Sequence, residues 1–251
     1  MRSRSMGVFL ATMAVLVSCQ AVAQVSRGGP ATQAEIQVGL CAPFEEIERV
    51  LHLRPQGGPV TIWLFDDPAL TLFERGLRLR LRIAGNRAEL TLKAANQDCS
   101  RIDPKAVPPG EGKCEIDMHG AMMAGAVSLS RRLTLTEKDD LVSGRRTAGE
   151  MLGRVQIAFL RDVVGFWPLP PNIRALGPIE ARSYRTQGVQ YDVDVARLPA
   201  GDTYVEIARK VPAAEAFRAR SAMDSMLAGA GVAACADQSA QAVNKLRSLV
   251  R

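Results

Sequence analysis

Apolar and polar residues alternate in two short runs between residues 75 and 93, on either side of Asn86 and Arg87. Leucines and one isoleucine take most apolar positions, and the polar positions are Arg78, Arg80, Arg82, Glu89, Thr91 and Lys93. Side chains of a strand point to opposite faces with a period of two, so this pattern predicts a hairpin with one apolar and one cationic face. Three arginines on one face repel each other unless water or an anion lies in front of them.

Similar patterns, bounded by turn residues, predict further strands at residues 34–40, 60–65, 113–119, 173–187, 190–198 and 202–211. Helices are predicted at residues 43–53, 136–164, 213–227 and 239–250. Pro43 suits the first turn of a helix, where its missing N–H group has no partner to lose. No internal repeat or low-complexity linker divides the chain, which favours one domain over residues 24–251.

Almost every predicted strand has one charged side. An antiparallel sheet with its polar face in water explains any one of these strands. Across the whole chain, however, the predicted helices also need an apolar surface to cover. A barrel with charged side chains inside and an apolar outer surface satisfies both requirements. The sequence therefore predicts an α+β fold, with an antiparallel, closed or nearly closed barrel of eight strands and helices packed outside.

The first 23 residues have the features of a secretory signal peptide. Arg2 and Arg4 precede an apolar stretch at residues 7–17, and small residues at 21–23 form a cleavage site. A second pattern overlaps it, because LVSC at residues 16–19 resembles a bacterial lipobox that would lipidate Cys19. Cleavage predicts a periplasmic or secreted protein. Lipidation predicts a protein anchored at the envelope, and only this alternative brings the chain to a membrane.

Four cysteines follow this segment, at Cys41, Cys99, Cys114 and Cys235. An even number of cysteines in an exported protein favours disulfides, although four cysteines allow three pairings. Cys99 and Cys114 flank a Pro- and Gly-rich loop between two predicted strands. This favours a Cys99–Cys114 bridge and leaves Cys41 to pair with Cys235.

The formal net charge of +6 is a modest surplus for 251 residues. It agrees with an anionic partner, yet the basic residues form no blocks of the kind found in nucleic-acid tails. Aromatic residues make up only 5% of the chain, which leaves few rings to stack on bases. A nucleic-acid partner is therefore not expected.

Three motifs in residues 61–93 resemble those of the CYTH superfamily, also called triphosphate tunnel metalloenzymes. They are FDDP at residues 65–68, LRLR at 77–80 and TLK at 91–93, in the family's order and at similar spacing. Members of this family hydrolyse or cyclise triphosphates. The resemblance implies a tunnel in which basic residues hold a phosphate chain and carboxylates bind a divalent metal.

The resemblance also implies roles for particular residues. The phosphate-binding candidates are Arg78, Arg80, Lys93 and Arg182. Arginine suits this role because its planar, permanently charged fork binds two phosphate oxygens at once. The candidate ligands for Mg²⁺ or Mn²⁺ are Glu35, Glu115, Asp117, Asp194 and Glu206.

Two of the family's acidic pairs are halved in this chain. The family's first strand carries Glu-x-Glu-x-Lys, where this chain has Glu35, Gln37 and Gly39. Its last strand carries Glu-x-Glu, where this chain has Glu206 and Ala208. Mg²⁺ can bind through one or two carboxylates together with phosphates and water, so these changes weaken metal binding without excluding it.

Three functions are compatible with these features. The favoured one is an exported protein that binds polyphosphate or a phosphorylated small molecule in a cationic tunnel, with or without residual metal-dependent activity. The second is a metal-dependent triphosphatase or other phosphohydrolase of the envelope. The third is a structural or interaction protein without catalysis. Binding ranks first because it needs only the basic residues, which match the family better than the carboxylates do.

Overall fold

The computed structural model describes residues 33–98, 112–120 and 122–250, and within them nine strands form one closed barrel. The strands are β1 (Gln33–Leu40), β2 (Arg54–Asp66), β3 (Leu77–Ala84), β4 (Arg87–Ala95), β5 (Gly112–His119), β6 (Met122–Leu133), β7 (Arg174–Arg185), β8 (Asp192–Arg197) and β9 (Thr203–Pro212). The helices are α1 (Phe44–Val50), α2 (Thr71–Glu74), α3 (Leu135–Val142), α4 (Arg154–Phe159), α5 (Ala216–Gly229) and α6 (Gln238–Val250). The predicted signal peptide, including Cys19, lies outside the described residues.

The order of strands around the barrel is β1-β5-β6-β4-β3-β2-β7-β8-β9, and β9 pairs with β1 to close the ring. β1 and β5 run parallel, and every other neighbouring pair is antiparallel. The α+β class and the closed barrel are confirmed. The prediction of eight strands, all antiparallel, is wrong: the barrel has nine strands and one parallel pair.

β6 is the strand that the sequence pattern failed to predict. Its first half, MMAGAV at residues 122–127, is built from small and apolar residues and shows no alternation of apolar with charged positions. The long helix predicted at residues 136–164 is also broken. α3 ends near Gly144, which has a φ of +74° that favours glycine, and a 3₁₀ turn (Gly149–Met151), α4 and a π-helical turn (Leu160–Val164) follow it.

The apolar side chains of the strands point outward and pack under helices. Ile36 and Val38 of β1 lie in one core with Ile47 of α1 and Met223 of α5. A second core joins the leucines of β3 and β4 to Leu141 of α3 and to α4. Each large apolar side chain that is buried contributes roughly 1.5–3 kcal/mol, so these two cores hold the helices on the outer surface. The alternate residues of the same strands must then face the lumen.

α6 is not packed outside like the others, and lies across the lumen. The side chain of Gln238, at the start of α6, accepts a hydrogen bond from the N–H group of Gly39 on β1 at 2.6 Å and donates one to its carbonyl oxygen at 3.1 Å. Further along, Leu246 packs with Leu64 of β2 and Leu176 of β7. Leu64 is the register partner of Arg80, so these leucines line the inner face of the barrel. No helix in the described parts of the chain is long and apolar enough to cross a membrane.

One disulfide joins Cys41, just after β1, to Cys235, just before α6, with Cα atoms 5.0 Å apart. This confirms the predicted Cys41–Cys235 bridge. Cys114 is also disulfide-bonded. Cys99 lies outside the described residues, so its pairing with Cys114 stays a prediction.

Replacing both Cys41 and Cys235 by serine should lower the free energy of unfolding by about 2–5 kcal/mol, because a covalent loop no longer restricts the unfolded chain. Urea denaturation of the oxidised proteins measures the difference. An unchanged denaturation midpoint would contradict a stabilising role for this bridge.

Candidate functional site

The strand register places a cationic surface on one side of the lumen. Arg78 of β3 pairs with Lys93 of β4, and Arg82 pairs with Glu89. Glu89 in turn pairs with Arg132 of β6, which brings a further arginine to the same face. The sequence analysis missed Arg132 because it did not predict β6. The LRLR motif therefore contributes to a lumen-facing group of arginines, as the hairpin pattern predicted.

Arg78 is held by its own surroundings. Its guanidinium lies 3.7 Å from the ring centroid of Phe73 and donates to the carbonyl oxygens of Leu77 and Phe73 at 2.9 and 3.3 Å. Burial lowers the pKa of Arg78 to about 10, so the group stays protonated at neutral pH. These contacts fix the side chain against α2, which gives Arg78 a structural role at this end of the tunnel.

Arg80, by contrast, has no hydrogen bond or ion pair to its guanidinium within the described residues. Water reaches the side chain, yet protein atoms surround it on the lumen side. This burial, together with the nearby charge of Arg82, lowers the pKa of Arg80. The charges of Glu89, Glu35 and Asp194 act on its pKa in the opposite direction. Arg80 faces the lumen because Leu79 and Leu81, its neighbours along β3, belong to the outer core. It is the basic residue best placed to meet a ligand.

The part of the lumen wall next to this surface, on β5, β1 and β9, carries carboxylates that are paired with lysines. Asp117 of β5 contacts Lys93 at 2.6 Å. Glu115 of the same strand contacts Lys113 at 2.8 Å and Lys210 of β9 at 2.6 Å, and Lys210 also lies 3.7 Å from Glu35. We call this set, made of Glu35, Glu115, Asp117, Lys93, Lys113 and Lys210, the lysine–carboxylate cluster.

Hydrogen bonds keep Glu115 and Lys210, the central pair of this cluster, ionised. Burial disfavours the charged form of Glu115, but hydrogen bonds from Lys113 and Lys210 lower its pKa overall. Burial likewise opposes the charge on Lys210, but the hydrogen bond to Glu115 and the charge of Glu35 raise its pKa overall. Both groups are therefore charged at neutral pH.

This arrangement does not fit a divalent ion as it stands. The described residues contain no group of three or more His, Cys, Asp or Glu side chains arranged to hold a metal. Lysine ammonium groups already occupy both oxygens of Glu115 and one oxygen of Asp117, and Lys210 lies 3.7 Å from Glu35. The other oxygen of Asp117, Oδ1, is buried and has no hydrogen-bond partner among the described residues.

The two remaining predicted metal ligands form a second acidic site. Asp194 of β8 and Glu206 of β9 are register partners, and Asp194 accepts a hydrogen bond from Ser183 at 2.5 Å. Burial raises the pKa of Glu206 to about 7, and the charges of Asp194 and Glu35 add to this effect. Lys245 of α6 opposes it, because its ammonium lies close enough to stabilise the ionised carboxylate.

Lys245 is a lumen residue that strand patterns cannot reveal, because it is carried by a helix. Burial lowers its pKa, while Glu206 and Asp194 act to raise it. The family resemblance expects a lysine at position 39, where this chain has a glycine whose backbone is bonded by Gln238. α6 thus begins beside Gly39 and brings a lysine of its own, Lys245, near the carboxylates of Glu206 and Asp194.

Arg182 is not among the lumen residues. It pairs with Val195, which belongs to the outer core, and the neighbouring Ser183 pairs with the lumen-facing Asp194. Arg182 therefore lies on the outer face of β7, apart from the other phosphate-binding candidates. Arg185 lies on the same face as Ser183 and contacts Asp192 at 2.8 Å.

The FDDP motif has a local structural role. Asp66 is buried and accepts hydrogen bonds from the backbone N–H groups of Leu72 and Phe73, and Asp67 accepts two from Thr71. Carboxylates at these positions satisfy the free N–H groups at the start of α2. The motif thus ties the end of β2 to α2, which carries the Phe73 ring under Arg78.

Arg78→Ala should lower the free energy of unfolding by about 1–3 kcal/mol, because it removes a stacking contact and charge-assisted hydrogen bonds. Arg80→Ala should leave stability unchanged or slightly increased, because it removes a charge that is repelled by Arg82 and has no partner among the described residues. Denaturation curves of the two variants test this contrast, and equal losses in both would contradict it.

Glu206→Gln should change the pH dependence of stability. A carboxyl whose folded pKa is raised from 4.5 to about 7 stabilises the fold while protonated, and this contribution is lost as the pH rises through 7. Glutamine cannot ionise, so the variant should match the wild type near about pH 5 and exceed its stability by about 2 kcal/mol near about pH 8.5. Glu180→Gln, on the outer face of β7, is the control. If the difference in stability between Glu206→Gln and wild type is the same at both pH values, the raised pKa of Glu206 is contradicted.

Comparisons with known proteins place this geometry in a structural context. No protein-family model and no curated protein matches the chain. A solved Hippeastrum protein, studied as an adenylyl cyclase and described as having a dominant triphosphatase activity, has a TM-score of 0.53 at 15% identity, over 80% of this chain and 88% of its own. A Bacillus halodurans protein assigned as an adenylate cyclase has a TM-score of 0.54 at 14% identity, over 82% and 95% of the two chains. The chain therefore has the tunnel fold that its resemblance to CYTH-type proteins predicted.

Proposed function

We propose that this chain is an exported protein that binds a polyphosphate or a phosphorylated small molecule in its cationic tunnel. The observation that carries the proposal is the guanidinium of Arg80 in the lumen, which has no hydrogen bond or ion pair within the described residues. Arg82 and Arg132 line the same side, and in the described residues neither has a hydrogen bond or ion pair to its guanidinium. The signal-like first 23 residues support export.

The chemistry of these groups favours a phosphate chain over a simple carboxylate. Each guanidinium offers a planar fork of N–H donors that matches two oxygens of one phosphate. Several phosphates in a row present repeated anionic oxygens, so one such ligand can neutralise successive arginines along β3 and β6. Bound in this way, the ligand would relieve the repulsion between Arg80 and Arg82.

Metal-dependent phosphohydrolysis is the second candidate. It is supported by the fold shared with the Hippeastrum protein and by the unpartnered Oδ1 of Asp117. The lysine–carboxylate cluster weighs against it, because three carboxylates are already neutralised by ammonium groups. Gln37 and Ala208 further reduce the carboxylates on β1 and β9. Binding is therefore the function that the geometry supports best.

Calorimetric titration with tripolyphosphate tests the proposal. Arg80→Ala should weaken binding about 10- to 100-fold, because charge-assisted hydrogen bonds contribute about 1.5–3 kcal/mol each. Arg182→Ala removes the same charge from the outer face and is the matched control, with an affinity that should stay within about twofold of wild type.

The outcomes separate the candidate functions. Equal affinities of Arg80→Ala and wild type would contradict phosphate binding in the lumen. No binding by the wild type would favour a structural or interaction role. Release of inorganic phosphate from tripolyphosphate when Mg²⁺ or Mn²⁺ is added would favour phosphohydrolysis.

A further inference from the structure

Three carboxylates meet where β1 and β5 run side by side. Glu35 is the register partner of Asp117, and Glu115 lies two residues before Asp117 on the same face of β5. Lys210 of β9 is the register partner of Glu35 on the other side of β1. The closed barrel thus brings a lysine and three carboxylates from three adjacent strands to one part of the lumen wall.

Lys210 bridges this set across β1. Its ammonium lies 2.6 Å from Oε1 of Glu115 and 3.7 Å from Oε1 of Glu35. The other oxygen of Glu115 contacts Lys113 at 2.8 Å, and Lys93 reaches Asp117 from β4 at 2.6 Å. A single ammonium therefore connects carboxylates of two different strands, which is the role that a shared cation would have.

A divalent ion could not enter this cluster without displacing the ammonium. Mg²⁺ requires oxygen ligands at about 2.1 Å in octahedral geometry, and Oε1 of Glu115 is already the hydrogen-bond acceptor of Lys210, whose ammonium also lies 3.7 Å from Glu35. Three carboxylates and three lysines also balance in charge, so the cluster has no negative surplus to attract a further cation.

One buried oxygen of the cluster has no partner among the described residues. Oδ1 of Asp117 has no hydrogen-bond partner in the described residues, and Asp117 is only 7% exposed. A buried carboxylate oxygen without a partner is costly, and it provides a ligand position if a cation becomes available. Removing the Lys210 charge would free Glu35 and one oxygen of Glu115 beside it.

We propose that the Lys210 ammonium is the fixed internal cation of this cluster, in the place of a divalent metal, and that removing it creates a divalent-metal site. It follows that the tunnel binds its phosphorylated ligand without metal, a consequence that rests on the function proposed above. The metal site itself can be tested in the absence of any anion.

The test is titration of the purified protein with Mn²⁺, with free Mn²⁺ followed by electron paramagnetic resonance. Lys210→Met keeps the length of the side chain and removes its charge. Lys138→Met is the matched control, because Lys138 contacts Asp139 at 2.8 Å in α3, outside the lumen. We expect Lys210→Met to bind one Mn²⁺ at least about tenfold more tightly than wild type and Lys138→Met, a difference of about 1.4 kcal/mol.

Two results would overturn the proposal. Wild type that binds Mn²⁺ as tightly as Lys210→Met would show that lysine and metal coexist, and absence of binding by a folded Lys210→Met would show that no latent site exists. Near-ultraviolet circular dichroism checks the fold. If Lys210→Met is unfolded, Lys210→Gln is titrated in the same way, because it also removes the charge and keeps a polar end.

A separate measurement addresses the ligand. The tripolyphosphate affinity of wild type should be equal within about twofold in EDTA and in Mg²⁺, whereas tightening by tenfold or more in Mg²⁺ would overturn metal-independent binding. If wild type binds no tripolyphosphate in either condition, the function proposed above fails, while the Mn²⁺ titration still decides the role of Lys210.

Discussion

The need to neutralise charges inside a closed barrel determines the arrangement of this molecule. The apolar sides of the strands pack outward under α1, α3, α4 and α5, so the charged sides have no position other than the lumen. Charges that leave bulk water carry a desolvation cost unless they are paired or remain hydrated. The lysine–carboxylate cluster meets this requirement by pairing. Arg78 meets it through carbonyl oxygens and the Phe73 ring, whereas Arg80, Arg82 and Arg132 have no ion pair within the described residues.

This division gives the tunnel two walls with different properties. The wall of β1 and β5 is held by ion pairs that cross from strand to strand, so it contributes to the closure of the barrel as well as to its electrostatics. The arginine wall has fewer partners within the described residues, and the proposed anion would supply them. α6 lies near both walls, because it bonds Gly39 of β1 at one end and packs at the other on Leu64, the register partner of Arg80.

The sequence predicted the fold well wherever alternation was strong. The Leu–Arg alternation of β3 identified both the lumen face and the outer core. β6 escaped because alanines fill its lumen positions opposite Glu115 and Asp117, so no charged residue alternates with the apolar ones there. Which face of β7 carries Arg182 depends on the register between β7 and β8, and a shift of that register by one residue would move Arg182 to the other face. The role of Lys245 depends on where α6 packs, which no local pattern contains.

The Cys41–Cys235 disulfide makes most of the protein a covalent ring. The ring spans 194 residues and contains every strand from β2 to β9, leaving only β1 just outside it. A protease that cuts once between the two cysteines opens the ring but does not separate the fragments. A single cut in a connection between two strands of this ring therefore leaves all of the strands on one molecule.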